Sequence, residues 1–564
     1  MCAKKVVKKR KKNFATMGSS GGSGDVSSLR PVHIEKKPPC GDACPSGNKI
    51  RSFCTTIAQA EMLGKTHEEA MREAWEIYTD TSPFPSVCGR VCPAPCETGC
   101  NRKDLEGAVG INKIERAIGD YGLENDLPLV RLSDEAQTQK VAVVGAGPSG
   151  LSCAYQMARR GYAVTVFEAL ESAGGMLKWG IPGYRLPEEV LDSEIQKILD
   201  LGVELRCGVK VGQDISMADL RNDYDAVYVA IGAQQGVSLG VDGEDAPNVY
   251  SGVDFLNRFH HGERLDLGKD VVTIVVGGGD TAIDSARICK RLGANVTILY
   301  RRTREEMPAI AEEIDAALEE GIVIEFLAAP IGFTKGDDGL VTAMKAIRME
   351  LGEPDDSGRR RPVPIEGSEF EIPASAVISS ISQQPDFTGF EELIEGRDWI
   401  KVNETGETKV EGVFAGGDTV NLALVTDAIG HGRRAAETML ERFTGVAKEP
   451  DTREIIHTDK MFTEYFTENP QEPVEPNLIP VEERMEGVDR EVNLGLTPEQ
   501  VVVEASRCMS CGKCFYCENC YLFCQDQAVI KPNQKGELYL FNLSNCTGCE
   551  KCAEICPCGF IKMQ

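Results

Sequence analysis

The stretch VAVVGAGPSGL, residues 141–151, limits what this chain can fold into more than any other. Four apolar residues, Val141 to Val144, read as a strand buried on both faces. Gly145-x-Gly147-x-x-Gly150 follows without a break. In such a motif the first glycine makes a tight turn and the second lets the backbone approach a pyrophosphate. The third packs the next helix onto the strand, and the free N–H groups at that helix's N-terminus then face the phosphates. AYQMARRGY continues as helix, and AVTVFE as a second strand ending in Glu168, 23 residues after Gly145. A carboxylate near that spacing holds a ribose hydroxyl. The stretch predicts a dinucleotide site.

A second unit of the same kind begins at VVTIVVGGGDTAIDSAR. The strand Val271–Val276 leads into Gly277-x-Gly279-x-x-Ala282, a helix and the strand NVTILYRR. Here the position 23 residues past the first glycine is Tyr300, and Arg301, Arg302 and Arg304 follow. A missing carboxylate with arginines beside it suits a 2′-phosphate, so NADP(H) is expected over NAD(H). The same arginines would also serve as solvated surface charge. TKVEGVFAGGDTVN, residues 408–421, then supplies a short strand ending in Gly416-Gly417-Asp418, where the acid can bind sugar hydroxyls of a flavin dinucleotide. Gly174 and Gly175 mark another close backbone approach to the first nucleotide. One nucleotide-binding unit is therefore inserted within another, and the expected class is α/β with two interleaved Rossmann-like domains.

The rest of the chain brackets this core. Its 564 residues allow three or four domains. A formal charge of −27 argues against nucleic acid and anionic membranes. No apolar run approaches the ~20 residues that cross a bilayer, so no membrane insertion is expected. Of 22 cysteines, seven lie from Cys40 to Cys100 and eleven from Cys508 to Cys558. In a large chain with no signal-peptide pattern such clusters bind metal, and a reducing, cytoplasmic compartment is expected. Residues 1–30 read as a basic and Gly/Ser tail, and 31–135 as a helical cysteine domain. Residues 136–250 and 381–447 form the two parts of the first nucleotide unit, around 251–380 as the second. A Pro/Glu-rich linker, 448–500, and a tail domain, 501–564, complete the division.

In the cysteine domain, Cys88, Cys92, Cys96 and Cys100 recur every fourth residue among prolines and glycines, with Cys40, Cys44 and Cys54 upstream. Thiolates at this density select zinc or an iron–sulfur cluster. The tail carries Cys514-x2-Cys517-x2-Cys520-x3-Cys524, then Cys546-x2-Cys549-x2-Cys552-x3-Cys556-Pro557. This is the pattern of bacterial two-cluster ferredoxins, in which each fourth cysteine serves the other cluster. Gln525 stands where a proline is usual after the first run. An α+β ferredoxin-like domain with two [4Fe–4S] clusters is expected. Cys508, Cys511 and Cys558 are left over, as structural thiols or spare ligands.

GRVCPAPCETGC, VGAGPSG, GIPGYRLP, GGGDTAIDSAR, YRRTREEMPA and VFAGGD, in that order, resemble the glutamate synthase small-subunit family. The likeness covers about residues 38–445 and extends to the flavin half of dihydropyrimidine dehydrogenase and the large subunit of NADH-dependent ferredoxin:NADP oxidoreductase. It implies FAD on Gly145, Gly147, Gly150, Glu168 and Asp418. It implies a nicotinamide nucleotide on Gly277, Gly279, Asp280, Arg301 and Arg302. Cofactor contacts are also expected at Pro148, Ser149, Gly175, Arg185, Thr281, Gly417, Thr426 and Ala428. Relatives complete one N-terminal cluster with a Gln or Glu in the following helix, which here implies Cys44, Cys92, Cys96 and Glu115. They also carry a second cluster, using two cysteines upstream of the position of Cys40. This chain has no such pair, so a second cluster would recruit Cys54 and Cys88 beside Cys40 and Cys100. One or two N-terminal clusters are expected.

The expected activity is that of an NAD(P)H:acceptor oxidoreductase. Hydride passes to FAD, and single electrons then pass through [4Fe–4S] clusters to a redox protein or ferredoxin, in either direction. The cofactors carry the chemistry, so no side chain is expected to be catalytic. A thioredoxin-reductase type of enzyme would need Cys-x-x-Cys in the nucleotide region, where Cys289 stands alone in the second unit. Other readings are a glutamate synthase small subunit feeding a large amidotransferase, or a non-enzymatic wiring subunit of a larger complex. Tailed members of the group include the NAD(P)H-oxidising flavoprotein that works with dissimilatory sulfite reductase. A homo-oligomer or hetero-complex is expected.

Overall fold

The computed structural model describes residues 27–265, 267, 272–356, 358–396, 399–468 and 470–564. Most of the basic and Gly/Ser tail lies outside the described residues. The helices Ile50–Ala58, His67–Thr79, Pro85–Val91 and Ile111–Glu124 form the N-terminal domain. Thr66 starts the second of these in a capping box: its hydroxyl accepts from Glu69 N at 3.2 Å and Glu69 accepts from Thr66 N at 2.8 Å. Phe53, Trp75, Tyr78 and Phe84 fill the core between the helices.

Two five-stranded parallel sheets follow among the described residues. The first has the order Val413–Ala415, Ala226–Val229, Lys140–Val144, Ala163–Phe167, Glu204–Arg206. Its outer strand comes from the far side of the inserted unit, as the VFAGGD stretch implied. The second has the order Val323–Phe326, Asn295–Tyr300, Val272–Val276, Ala376–Ser379, Val249–Ser251. Helices cover the sheets, which is why the central strands carry unbroken apolar runs. An antiparallel layer of Ala328–Lys335, Val341–Pro354, Arg360–Pro364 and Phe370–Pro373 extends the second unit. Where the chain leaves and re-enters the first unit, Gln235–Gly236 pairs with Gln383–Gln384.

Residues 448–500 are more than a surface linker. Val492 N donates to Tyr184 O at 3.0 Å, Arg116 Nη1 to Asn493 O at 2.6 Å, and Arg90 pairs with Glu491 at 2.8 Å. Ile479 and Val492 are buried in the core of the second nucleotide unit. In the tail, the short strands Val529–Ile530 and Leu540–Phe541 pair antiparallel. Ile561–Met563 pairs antiparallel with Pro31–His33, so the tail lies against the N-terminal domain. No helix among the described residues is long and apolar enough to cross a membrane.

Glu194, on the helix Glu188–Leu199, fixes the N-terminal domain to the first nucleotide unit. Its carboxylate accepts from Ser86 N at 2.7 Å and Val87 N at 3.1 Å, the free donors at the start of Pro85–Val91. Burial pushes this carboxyl up to about 8 from 4.5, against the pull of those two N–H groups. The native state therefore holds an extra proton between those pH values, and this contribution to stability falls as pH rises through the window. Glu194→Ala is expected to cost about 1–3 kcal/mol in chemical unfolding. Glu194→Gln is expected to gain on the parent protein as pH is raised from 5 to 9; parallel pH profiles would refute the assignment.

Candidate functional site

The first cavity, of about 410 Å³, opens at the carboxyl ends of the first sheet's strands. That is the switch point between the strands of residues 140–144 and 226–229, where open α/β sheets bind ligands. The helix Pro148–Ala158 starts at Gly147 with proline in its first turn, and its N-terminus faces the cavity. Gly175, at φ +54°, brings its backbone so close that a Cβ there would lie 2.9 Å from Gly147 Cα. Gly145, Gly147, Pro148, Ser149, Glu168, Gly175, Gly417, Asp418 and Ala428 all line this space. Glu168 accepts from Ala146 N at 2.8 Å and Leu170 N at 2.9 Å, which ties the glycine turn to the end of the second strand. Gly150 lies behind the wall, with room for no Cβ: Gly145 O would be 1.9 Å away.

Side chains that the motifs did not flag complete the cavity. Behind the lining, Tyr228 OH lies 2.7 Å from Ser149 Oγ, and Gly417 N donates to His431 Nδ1 at 3.1 Å. Asn257, Asp386 and Thr388 line the cavity, and only the folded topology brings these two distant segments together.

The second cavity, of about 580 Å³, is lined by Gly277, Gly279, Thr281, Tyr300, Arg301, Arg302 and Arg359. Asp280 sits in the first turn of the helix Asp280–Arg291, its Oδ1 accepting from Ile310 N at 3.1 Å. Arg301 is exposed, and the charges of Arg302 and Arg359 reinforce the effect of burial in lowering its pKa. Arg302 is buried, pairs with Asp355 at 2.7 Å and donates to Arg360 O at 2.7 Å. Arg359 was missed because it sits in a loop more than 50 residues downstream. Arg304 pairs with Asp315 at 2.5 Å on the surface. Asp418 lines both cavities, so the two adjoin at this residue. Burial pushes its carboxyl up to about 6.

Arg185, expected at a nucleotide, lines neither cavity. Its guanidinium donates to Asp284 Oδ2 at 2.7 Å, a buried ion pair that joins the GIPGYRLP loop to the helix of the second unit. Thr426 also stands outside the cavity lining, with its Oγ1 3.8 Å from Cys92 Sγ, and Ala428 of the same helix lines the first cavity.

The thiols sort into groups. Cys44, Cys92 and Cys96 surround Glu115; burial, then the Glu115 carboxylate, pushes all three thiols up. Glu115 is buried, receives Asn48 Nδ2 at 3.3 Å, and burial pushes it up to about 8. Cys88 belongs beside this group, near Cys92, Glu115 and Tyr78, and so does not join Cys40 and Cys100 as expected. In the tail, Cys514, Cys517 and Cys520 face Cys556. Cys552 faces Cys546, Cys549 and Cys524. Cys40 and Cys100 face Cys508 and Cys511, with Cys54 against Cys508. Among the described residues no three His, Cys, Asp or Glu side chains converge tightly enough for a single metal ion.

Comparison with known proteins shows which families these domains match. The model of the pyridine nucleotide-disulphide oxidoreductase family matches residues 139–432. The chain belongs to that family. A dihydropyrimidine dehydrogenase domain II, 4Fe-4S cluster, model matches residues 29–127, and a 4Fe-4S binding domain matches 539–562. The NADPH-Fe(3+) oxidoreductase subunit beta of Geobacter sulfurreducens is 38% identical over 84% of this chain and 75% of its own length. The NADP(+)-dependent formate dehydrogenase subunit beta of Moorella thermoacetica is 36% identical over 88% and 74%. The Glutamate synthase [NADPH] small chain of Escherichia coli is 37% identical over 72% and 88%.

As a member of the pyridine nucleotide-disulphide oxidoreductase family, the chain is an FAD-dependent NAD(P)H oxidoreductase with [4Fe–4S] clusters. The donor sets fit these groups. A helix N-terminus and a side-chain-free glycine turn suit a pyrophosphate, and all-thiolate or thiolate–carboxylate sets suit iron–sulfur. Cys289 is buried, and no second cysteine accompanies it in its helix Asp280–Arg291. A Cβ on Gly147 meets nothing closer than Gly175 Cα at 4.0 Å, so Gly147→Val is expected to fold normally. Its side chain would then grow into the first cavity, and the flavin-to-protein absorbance ratio of the purified variant should fall at least tenfold. Gly150→Ala should instead lower the unfolding temperature of the protein itself. Full flavin content in Gly147→Val would move the cofactor elsewhere.

Proposed function

We propose that this protein oxidises NADPH and delivers the electrons singly to a redox protein partner or a ferredoxin, within a larger complex. The observation that carries the reading is spatial order. The second cavity meets the first at Asp418, and the helix flanking the first carries Thr426 against Cys92 of the Glu115 group. When bound, a nicotinamide supplies hydride, a flavin accepts electrons in pairs and releases them singly, and clusters carry one at a time. The protein's own contribution is alignment. Gly277 and Gly279 let the second nucleotide approach the backbone. Asp418 stands at the meeting point, its amide-bonded carboxylate accepting from Ala423 N at 3.3 Å and so fixed in direction. Thr426 and Ala428 close the flavin side toward the thiols.

The relatives named above support the nucleotide and the partner: each is NADPH- or NADP-linked by name, and two are beta subunits. The tail's two cysteine groups favour a protein acceptor over a directly attached amidotransferase, because they add electron carriers beyond the shared flavin core. Arg301 and Arg359 are the candidates for the 2′-phosphate because both line the second cavity. Arg301→Ala with Arg359→Ala is expected to raise the KM for NADPH about 30- to 150-fold, as losing a charge-assisted fork of roughly 2–3 kcal/mol requires. The KM for NADH should change far less in dye-reduction assays. Equal changes for both nucleotides would overturn the assignment.

A further inference from the structure

We propose that Cys40, Cys100, Cys508 and Cys511 together form one further [4Fe–4S] site, which links the N-terminal domain to the tail. The expected recruitment of Cys54 and Cys88 is replaced by a pair of cysteines about 400 residues away in sequence. Cys40, Cys100, Cys508 and Cys511 line one internal cavity with Cys54 and Arg51.

Spacing separates the four ligands from the fifth thiol. Cys508-x2-Cys511 has the chelating spacing that recurs at Cys514-x2-Cys517 and Cys546-x2-Cys549. Cys40 stands four residues before Cys44 and Cys100 four residues after Cys96, both members of the Glu115 group. Cys54 has no companion at either spacing and sits in mid-helix, touching Cys508 from the wall. The surroundings fit a cluster. Arg51 is buried and its Nε–H, at the cavity, has no hydrogen-bond partner. Asn101 Nδ2 lies 3.5 Å from Cys511 Sγ. Donors to sulfur of this kind tune cluster potentials.

The protein holds the two halves of the site together through its own bonds. Arg51 Nη1 donates to both Lys36 O and Cys511 O at 2.7 Å, and Arg102 Nη1 donates to Arg507 O at 2.6 Å. Lys36 N donates to Gly512 O at 3.0 Å, and Gly512, at φ +76°, passes so close that a Cβ would lie 2.7 Å from Lys36 O. The site also completes a path. Cys511 and Cys514 are three residues apart, so their Cα atoms lie within about 11 Å, the reach of an extended chain. Sites that share such short chain segments are neighbours from the Glu115 group through to the tail. Each transfer along them moves one electron, with no bond made or broken. Use of the path rests on the proposed function; existence of the site does not.

The test is iron content and EPR of the anaerobically purified full chain. Four [4Fe–4S] sites require about sixteen irons per chain, and without this one the total is about twelve. Cys508→Ala with Cys511→Ala is expected to lose about four irons and one of the reduced-state EPR signals, while Cys54→Ala keeps both. A wild-type count of about twelve overturns the proposal without any variant. So does a double variant that keeps all its iron, or a Cys54→Ala protein that loses four. Bleaching of the wild-type flavin by NADPH reports on the proposed function separately.

Discussion

One buried ion pair holds three separate parts of this chain to one another. Arg507 and Glu504 meet at 2.6 Å with neither side chain exposed. Arg507 donates to Ala108 O, Gly107 O and Gln471 O, while Glu504 accepts from Gly110 N and Val474 N. The N-terminal domain, the 448–500 segment and the tail thus share a single polar knot. A buried pair of this kind is weak evidence of net stability against an apolar alternative, but losing one partner strands the other at a cost of about 3–5 kcal/mol. Its value here is registry: the pair and its backbone partners allow one way for the tail helix Pro498–Ser506 to lie against the N-terminal domain.

A comparable device joins the two nucleotide units. Tyr184 donates to Asp284 Oδ1 at 3.0 Å beside the Arg185 pair, and its ring lies 4.4 Å below Arg287 and 4.0 Å below Arg291. Glu320 binds both of those arginines. The contact therefore combines ionic, hydrogen-bonding and cation–π attraction in one dry patch. It keeps the second cavity in register with the first.

Much of this was legible in the sequence, and the exceptions share a cause. Glycine motifs are local: Gly145, Gly147 and Gly150 lie within six residues, and their spacing alone gives strand, turn and helix. The tail cysteines are equally local, set in two short runs with the ferredoxin spacing. Arg185 was misplaced because its partner Asp284 is 99 residues away. Arg301 and Arg302 look alike in sequence and both line the second cavity, yet Arg301 is exposed while Arg302 is buried and paired with Asp355. The Pro/Glu-rich composition of residues 448–500 reads as solvated linker, while a few apolar side chains such as Ile479 and Val492 decide that it is buried in part. Cys508 and Cys511 had a visible signal in their spacing but no visible partners.

The pairing of Pro31–His33 with Ile561–Met563 has a consequence for how the protein is made. Ribosomes add about 5–20 residues per second, and domains generally fold as they emerge. The roughly 400 residues between Cys100 and Cys508 then take about 20–80 s to appear. Throughout that interval the N-terminal domain lacks its edge strand, the Arg507 knot and the neighbouring thiols, so its unpaired cysteines stay open to oxidation or to stray metal. Biogenesis in such a molecule is paced by the appearance of residues 501–564, and loading of iron into the early cysteines is best matched to their emergence.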